Sequence, residues 1–303
     1  SVGCDTLALA EMAFTVGIDL DELRLGMAQA NLAALGLAER AAFIRADLTA
    51  ALPLAGFPHT AAFFDPARRT DERRLFSIRH YHPPLEVIRG WLPHFPALGV
   101  KISPGVKLEE LHPYAAEIEF ISLHGELKEA VLWFGPLQTS ARRATVLPGE
   151  HTFAGMAENA QNERLLPLSE PRSYLYEPDP AILRAGLVQP LGLELEAAQL
   201  DPEIAYLTSD AHIETPFARC WQVEFWMPFG VKPLRAALRQ RRVEQVVVKK
   251  RGSPLQPEEL IHALHLRQGE ACENSRVLFL KQLDGRPIVV ICYSNLDINQ
   301  VTR

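Results

Sequence analysis

The sequence has no long apolar run and no leader-like start. None of its apolar stretches approaches the roughly 18 to 20 residues that a helix needs to cross a bilayer. The first residues also lack the basic, apolar and small-residue layout of a signal peptide. With 48% hydrophobic and 22% charged residues, the composition is typical of a soluble globular protein. We therefore predict a cytoplasmic protein without a membrane partner.

Cysteine is scarce as well. The chain has four cysteines, Cys4, Cys220, Cys272 and Cys292, and no two of them form a CxxC pair. This spacing predicts neither a zinc site nor a disulfide framework. The run His80-Tyr81-His82 does not predict a metal site either, because two histidines in one loop do not form one by themselves. We expect reduced thiols and no metal.

An overall positive charge is also absent, since the formal net charge is -6 at pH 7. A protein that coats nucleic acid indiscriminately is therefore not expected. The charge is unevenly distributed, however. From Thr215 to Arg303 there are 14 Lys and Arg against 8 Asp and Glu, whereas the rest of the chain has 17 against 29. Any contact with a polyanion is predicted to lie near the C-terminus.

The first part of the chain alternates strand and helix patterns. Strands are predicted at 14–19, 42–45, 61–64 and 98–102, and helices at 22–35 and 85–92. Such alternation predicts an α/β fold with a parallel, doubly wound sheet. The alternating segments 118–122 and 130–134, with His124-Gly125 between them, predict an antiparallel hairpin that closes the sheet.

The second part predicts a smaller α/β module. We place a first domain at 1–148, a polar and proline-flanked linker at 149–171, and a helical connector with the module at 172–303. Short helices are expected at 181–186 and 201–207. The pattern from about 220 to 295 is βαβαββ, with the final turn at Asp284-Gly285.

Three predicted strands end at an acid: Asp19, Asp47 and Asp65. The carboxyl ends of parallel strands lie at one edge of a sheet, where open α/β sheets bind ligands. An acid after such a strand often only caps the next helix. Three in register favour a ligand site, because an ionised carboxylate accepts hydrogen bonds from the two hydroxyls of a ribose or from the amine of adenine.

With these features the chain resembles the class I S-adenosylmethionine-dependent methyltransferases, and in particular the bacterial group with a C-terminal THUMP-like domain. The residues that carry the resemblance are Gly3-Cys4-Asp5-Thr6-Leu7-Ala8-Leu9-Ala10, Val16-Gly17-Ile18-Asp19, Ala46-Asp47-Leu48, Phe63-Phe64-Asp65-Pro66-Ala67-Arg68-Arg69, Gly125-Glu126-Leu127-Lys128-Glu129-Ala130 and Lys249-Lys250-Arg251-Gly252. The resemblance covers nearly the whole chain. It implies a Rossmann-like methyltransferase sheet in the first domain and S-adenosylmethionine as the cofactor.

The resemblance also implies roles for residues near the start of the chain. Gly3 and Asp5 would belong to the loop around the methionine part of the cofactor. Asp19, with Leu20 beside it, would bind the ribose, and Asp47 with Leu48 would flank the adenine. The family loop follows a strand and reads roughly Gly-x-Gly-Gly-Asp, whereas Ser1 stands here at the first glycine and Cys4 at the third. We therefore expect a fragment from which the first strand of the sheet is missing.

Asp65, Pro66 and Arg68 are the predicted catalytic residues. Methyltransferases that act on exocyclic amines of bases have an acid or amide, two prolines and an aromatic residue; Asp65 and Pro66 fit this pattern, and Ala67 and Arg68 do not. Methyl transfer from a sulfonium needs mainly alignment and exclusion of water, so an acid and a carbonyl can suffice. Arg68 would stack on a base or hold a phosphate; alternatively, Arg68 and Arg69 anchor the loop to Asp71 or Glu72.

Lys249, Lys250 and Arg251 form the densest basic run of the chain. They are either a solvated strand end or a patch for the phosphates of structured RNA, with further arginines nearby in sequence. Together with the three acids, this run predicts a methyltransferase that acts on a base nitrogen of tRNA or rRNA. The alternatives are a methyltransferase for a protein or small molecule, and a non-catalytic RNA-binding protein that keeps the fold.

Overall fold

The computed structural model describes residues 2–50, 52–53, 60–67, 77–155, 165–202, 204–250, 256–266, 274–283 and 285–294. The chain divides into two compact units. The first unit comprises residues 1–116 and 131–138, and the second comprises residues 117–130 and 139–303. The fold is mixed α/β, as the sequence predicts.

The first unit alternates helices and strands in the predicted order. Its elements are α1 (Cys4–Met12), β1 (Thr15–Asp19), α2 (Glu22–Ala34), β2 (Ala41–Arg45), β3 (Ala62–Phe64), α3 (Ile88–Trp91) and β4 (Leu98–Ile102). Helix α2 begins where Asp21 Oδ1 accepts hydrogen bonds from the amides of Leu23 (2.9 Å) and Arg24 (3.3 Å). This cap satisfies amides that have no partner within the helix. Because the cap residue Asp21 comes two residues after β1 ends at Asp19, the connection from β1 to α2 is short.

The strands of the first unit pair in parallel. β1 pairs with β2, so that Asp19 lies opposite Arg45, and β3 pairs with β4, so that Phe64 lies opposite Val100. β1 and β2 form a sheet of their own. The sequence predicts one sheet with its first strand missing; among the described residues, no strand joins the β1–β2 pair to β3.

A hairpin follows β4, as the sequence predicts. Its strands are β5 (Glu117–Leu123) and β6 (Glu126–Phe134), which are neighbours in a sheet. The two residues between them, His124 and Gly125, have φ angles of 53° and 74°. A two-residue turn with both φ angles positive matches the right-handed twist of the flanking strands. The turn therefore fixes the register of the hairpin.

Two strands of the second unit lie where the sequence shows no clear strand pattern. β7 (Arg142–Leu147) pairs in parallel with β5, and β8 (His151–Gly155) pairs antiparallel with β7. Part of the range 149–171, predicted as a linker, is therefore strand; residues 156–164 of that range lie outside the described residues. The domain limits at 148 and 171 remain a prediction.

Buried charges explain why β7 is difficult to recognise. Arg143 lies between two acids of β5, with Nε 3.0 Å from Glu117 Oε1 and Nη2 3.0 Å from Glu119 Oε2. Glu117 is fully buried and also accepts hydrogen bonds from the amides of Thr139 (2.5 Å) and Ser140 (2.9 Å). A charged strand is stable here because its partners supply opposite charge and donors.

The rest of the second unit contains a seven-stranded sheet. Its elements are β9 (Tyr174–Pro178), α4 (Pro180–Ala185), α5 (Val188–Glu194), β10 (Ala198–Gln199), β11 (Leu207–Ser209), β12 (Ala218–Pro228), α6 (Val231–Gln240), β13 (Gln245–Lys250), α7 (Pro257–Leu264), β14 (Ser275–Leu283) and β15 (Arg286–Tyr293). The strand order is β10-β11-β9-β12-β15-β14-β13. From β12 onward the order is the predicted βαβαββ.

One predicted helix is wrong. The sequence predicts a helix at 201–207, but the described residues of this range form no helix, and Leu207 begins β11. β11 pairs with both β9 and β10. Pairing on both sides, which depends on distant residues, decides the conformation here rather than local propensity. No helix among the described residues is both long and apolar enough to span a membrane.

Candidate cofactor and catalytic site

The carboxylates of Asp19 and Asp47 lie at one edge of the β1–β2 sheet. Asp19 ends β1 opposite Arg45, and Asp47 follows two residues after Arg45. The amide of Ala46 donates to the carbonyl of Asp19 (3.2 Å), which continues the ladder to the start of this loop. Asp19 Oδ1 accepts a hydrogen bond from the amide of Asp21 (2.9 Å), so the acid is held at the turn into α2. The parallel register therefore brings both predicted acids together.

Asp47 is kept ionised by its surroundings. Its Oδ1 accepts hydrogen bonds from the hydroxyl of Thr49 (2.6 Å) and from the amide of Thr49 (2.8 Å). These bonds, the hydroxyl first, hold the pKa of the Asp47 carboxyl below its usual range, and the charge of His82 lowers the pKa further. At neutral pH, Asp47 is an acceptor for a ligand's N–H groups.

The start of α1 packs closely on α2 at Gly3. Gly3 is the N-cap of α1 and has a φ of 91°, in the left-handed region that glycine adopts without strain. A Cβ atom on Gly3 would lie 2.7 Å from the Cβ of Ala28. Both the φ angle and this close approach to α2 require glycine, and the role of Gly3 in the cofactor loop stays a prediction.

Asp5 links this helix start to β4. Its Oδ1 lies 3.6 Å from Lys101 Nζ, and both side chains are largely shielded from solvent. The ion pair joins the first turn of α1 to the carboxyl end of β4, although 96 residues separate the partners in sequence. Lys101 was not predicted as a site residue. The signal in the sequence that could have identified it is a charged residue between the apolar neighbours Val100 and Ile102.

Asp65 lies directly after β3 and is exposed, whereas Pro66 is buried. The next residue, Ala67, exchanges two backbone hydrogen bonds with His82: Ala67 N donates to His82 O (2.9 Å), and His82 N donates to Ala67 O (3.1 Å). We call this pair the loop bridge. It fixes the backbone two residues after Asp65, which restricts the orientation of the acid.

A second contact anchors the same loop. The hydroxyl of Tyr81, a residue with no exposed surface, accepts a hydrogen bond from the amide of Ser103 (2.9 Å). Ser103 is the residue after β4, so the loops that follow β3 and β4 are tied together. In the sequence, Tyr81 and His82 stand out only as part of a histidine-containing loop. Their partners, Ser103 and Ala67, belong to segments that the sequence does not show to be close.

The other predicted cofactor residues differ in exposure. Leu20 is 59% exposed beside Asp19, and Leu48 is half-buried beside Asp47. Both therefore have apolar surface available at the carboxyl ends of β1 and β2. The predicted catalytic residue Arg68, and Arg69 after it, lie outside the described residues.

Lys249 of the basic run is already paired within the second unit. Its Nζ lies 2.5 Å from Glu177 Oε2 and 4.2 Å from the centroid of the Trp221 ring. Lys250 ends β13, and Arg251 lies outside the described residues. On α6 and just after it, Arg239 and Arg242 are exposed. Among the described residues of this module, these arginines are better placed than Lys249 to meet an external phosphate.

The described residues contain no group of three or more His, Cys, Asp or Glu side chains that could hold a metal ion. The polar groups that the described residues of the first unit hold in defined positions are the Asp19 and Asp47 carboxylates, the Asp5–Lys101 ion pair and the loop that carries Asp65. Ionised acids at the ends of adjacent strands suit a ligand with hydroxyl and amine donors.

Three comparisons relate the chain to known proteins. A family model described as "THUMP domain-like" matches residues 218–294. The chain is 34% identical over 275 residues to a protein named "Uncharacterized S-adenosylmethionine-dependent methyltransferase" in each of two strains of Mycobacterium tuberculosis, which covers 88% of this chain and 72% of the relative. A crystal structure of a Porphyromonas gingivalis W83 protein that is named as a methyltransferase has the same fold, with a TM-score of 0.76 and 21% identity over 97% of this chain and 75% of that one.

Proposed function

Because the chain belongs to the S-adenosylmethionine-dependent methyltransferases and carries a THUMP-like domain, we propose that it methylates a base nitrogen of tRNA or rRNA. One observation carries this proposal. The structure holds Asp19 and Asp47 at one sheet edge and anchors the loop of Asp65 through the loop bridge. The cofactor half of the site and the acceptor half thus come from strands of one unit.

The residues of the β1–β2 edge fit the cofactor. Asp19 accepts hydrogen bonds from the ribose hydroxyls, and ionised Asp47 accepts one from the adenine amine. Leu20 and Leu48 supply apolar surface beside these acids. Gly3 and Asp5 hold the methionine part. Gly3 allows the start of α1 to pack closely on Ala28 of α2, and the ion pair with Lys101 holds the Asp5 carboxylate in place. When bound, S-adenosylmethionine supplies an electrophilic methyl group.

Asp65 and the backbone carbonyl of Pro66 orient the target amine. Each accepts a hydrogen bond from the amine, which directs the nitrogen lone pair at the methyl carbon. The cofactor would supply the methyl carbon and would keep the electron pair of its own C–S bond, so the chain's residues have to align the nitrogen and accept its proton. The nitrogen then releases a proton to the Asp65 carboxylate, from which water removes it. Arg68 stacks on the target base or holds its phosphate.

The C-terminal module positions the RNA. The proposed phosphate contacts are Lys250 and Arg251, helped by the exposed Arg239 and Arg242. Lys249 stays in the proposed set with a different role. Its ion pair with Glu177 holds the basic run in place on the module. The excess of positive charge after Thr215 supports this assignment.

The deciding experiment compares modified nucleosides, by mass spectrometry, in tRNA and rRNA from cells with and without the gene. We expect one methylated base to disappear and to return with the wild-type gene but not with Asp65→Ala. Labelled methyl that appears instead in protein or in small molecules would support the first alternative. Cofactor binding without transfer to any acceptor would support a non-catalytic RNA-binding protein, which the substitution of Ala67 for the second proline favours.

Calorimetry with the full-length protein tests the cofactor site separately. We expect saturable binding of S-adenosylmethionine that Asp19→Ala weakens at least about tenfold, because a ribose hydroxyl then has no charged acceptor. Glu39→Ala is the matched control, since Glu39 is an exposed acid of the same unit outside the β1–β2 edge. Equal affinity of the two variants would refute the ribose assignment.

A further inference from the structure

A cavity of about 360 Å³ lies in the first unit, and its lining includes none of the three strand-end acids. It is formed by residues of the segments after β3 and β4, among them Arg79, Pro84, Glu86, Arg89 and Tyr114. Its volume falls within the range of about 300 to 1,000 Å³ that small-molecule sites occupy. The cavity is therefore large enough for a nucleotide-sized group.

The acids of the cavity already have partners. Glu110 Oε2 accepts hydrogen bonds from the hydroxyl of Ser77 (2.7 Å) and the amide of Ile78 (3.2 Å). Glu86 pairs with Arg89 at 3.1 Å and accepts a hydrogen bond from the hydroxyl of Tyr114 at 3.2 Å. Glu86 thus has a cation as its partner, whereas Glu110 is held in place by two neutral donors.

Arg79 is one of the two arginines in the lining. It is exposed, and no acid of the described part of the chain lies in salt-bridge range of its guanidinium. The other arginine of the lining, Arg89, is paired with Glu86. Arg79 can therefore bind an anionic group of a ligand, since a guanidinium binds phosphate oxygens with two parallel hydrogen bonds.

Tyr114 offers a ring held in one orientation. Its hydroxyl is fixed by Glu86, and the Arg89 guanidinium lies 5.6 Å from the ring centroid. Burial and the bond to Glu86 raise the pKa of the Tyr114 hydroxyl, so the ring stays neutral at physiological pH. With Pro84 and Pro113 also in the lining, the cavity has flat apolar surface on which a base can stack.

The cavity lies close to Asp65 along the chain. Pro84 is two residues after His82, which the loop bridge joins to Ala67, itself two residues after Asp65. The path from Asp65 to Pro84 through the bridge therefore spans at most about 20 Å. A nucleotide in the cavity and a target base at Asp65 can belong to one single-stranded segment.

We propose that this cavity binds a nucleotide that neighbours the target in the RNA substrate, with its base on Tyr114 and its phosphate at Arg79. The inference rests on the proposed RNA methylation and assigns it a second contact beyond the target base. Enzymes that act on an extruded or single-stranded base commonly contact the flanking nucleotides, which sets the sequence context.

The test is methyl transfer to RNA by the full-length protein, with KM for RNA and kcat measured separately. Arg79→Gln and Tyr114→Leu are each expected to raise KM about tenfold, which is the scale of one stacked base or one phosphate contact, and to leave kcat within about twofold. Arg79→Lys and Tyr114→Phe are the matched controls, which keep the charge and the ring; we expect less than about a threefold change in KM.

Ultraviolet crosslinking of bound RNA gives a readout that does not depend on turnover. Peptides that contain residues 78–89 or 110–114 are expected to carry crosslinked nucleotide in the wild type, and much less in Tyr114→Leu. If the wild type methylates RNA while both loss variants keep its KM and these peptides stay unmodified, the cavity proposal is wrong. If the wild type methylates no RNA at all, the proposed function itself fails, and the cavity proposal fails with it.

Discussion

Residues 4–45 and residues 218–294 place their apolar side chains in opposite ways. In the first region, Met12 is 84% exposed, Phe14 66% and Leu23 67%, and the buried residues of α1 and α2 are Ala10, Ala28 and Leu32. In the second region, the core side chains of the sheet and of α6 and α7 are fully buried. They are Leu234, Leu238, Leu264, Leu278, Phe279, Val289, Val290 and Ile291.

The difference assigns the two regions different roles. Burial of apolar surface stabilises a protein by about 25 cal/mol per Å². This burial term of the folding free energy is therefore large for the C-terminal sheet. The β1–β2 region has little of this term, yet it carries Asp19 and Asp47. Ligand sites are commonly drawn from the less stable parts of a structure, and a bound ligand then adds stability. We expect the proposed cofactor to complete the β1–β2 region, that is, to add stability there and not in the C-terminal sheet.

The largest expected contrast is in thiol reactivity. Cys4 is exposed, whereas Cys220 and Cys292 are buried. Burial raises the pKa of Cys220 to about 12, so at pH 8 only about one molecule in ten thousand carries the thiolate that reacts. Burial also raises the pKa of Cys292. In the native protein at pH 8, we expect a disulfide reagent to label Cys4 at least about a thousandfold faster than either, as measured by peptide mass spectrometry.

Labelling in strong denaturant is the control for this comparison, because all the thiols should then react at similar rates. Native labelling of Cys220 as fast as that of Cys4 would show that the C-terminal sheet opens as readily as the start of α1.

A core substitution in the C-terminal sheet should have the next largest effect. Phe279 has no exposed surface and packs edge-on against Trp221, with ring centroids 5.0 Å apart. Phe279→Ala is expected to lower the free energy of unfolding by about 3 to 5 kcal/mol, measured by urea denaturation. Phe14→Ala, the same change at an exposed site, should cost less than about 0.5 kcal/mol. Similar costs at the two sites would remove the distinction between the regions.

Hydrogen exchange tests whether the cofactor completes the β1–β2 region. At a cofactor concentration of about 100 times its dissociation constant, the added stability is about 2.7 kcal/mol, which slows exchange through local opening about a hundredfold. We expect this protection at amides of residues 15–47 and not at 277–292. Asp19→Ala, with affinity about tenfold lower, should reduce this protection to about tenfold at the same cofactor concentration. Equal protection of both ranges would mean that the regions open together.

The smallest effect concerns two ion pairs of similar length but different exposure. The Lys249–Glu177 pair (2.5 Å) has side-chain exposures of 26% and 16%, whereas the Lys128–Glu126 pair (2.6 Å) has 45% and 75%. Glu177→Gln is expected to cost about 1 to 2 kcal/mol, because it leaves a partly buried ammonium without its counter-charge. Glu126→Gln, in the exposed pair, should leave the free energy of unfolding almost unchanged. Urea denaturation of both variants makes the comparison.

Local patterns in the sequence predicted much of this architecture. The alternation of strands and helices, the hairpin at His124-Gly125 and the βαβαββ order of the C-terminal module each depend on neighbouring residues. The register of Asp19 and Asp47 follows from the same patterns, because parallel strands end at one edge. These features needed no knowledge of contacts between distant segments.

Contacts between distant segments account for what was missed. β7 looks polar because Arg143 finds its acids 24 and 26 residues earlier, in β5. Lys249, predicted as part of an RNA patch, meets Glu177 from 72 residues earlier. The Asp5–Lys101 pair and the Tyr81–Ser103 bond are of the same kind. No local pattern indicates such partners, so the sequence predicts the residue types without their contacts.

The loop bridge uses backbone atoms alone. Neither hydrogen bond between Ala67 and His82 involves a side chain, so almost any residue other than proline can stand at either position without loss of the anchor. The loop beside Asp65 is thus held in place while its side chains remain free to change. Over evolutionary time, a lineage can exchange residues at these two positions and acquire a different acceptor without having to rebuild the loop.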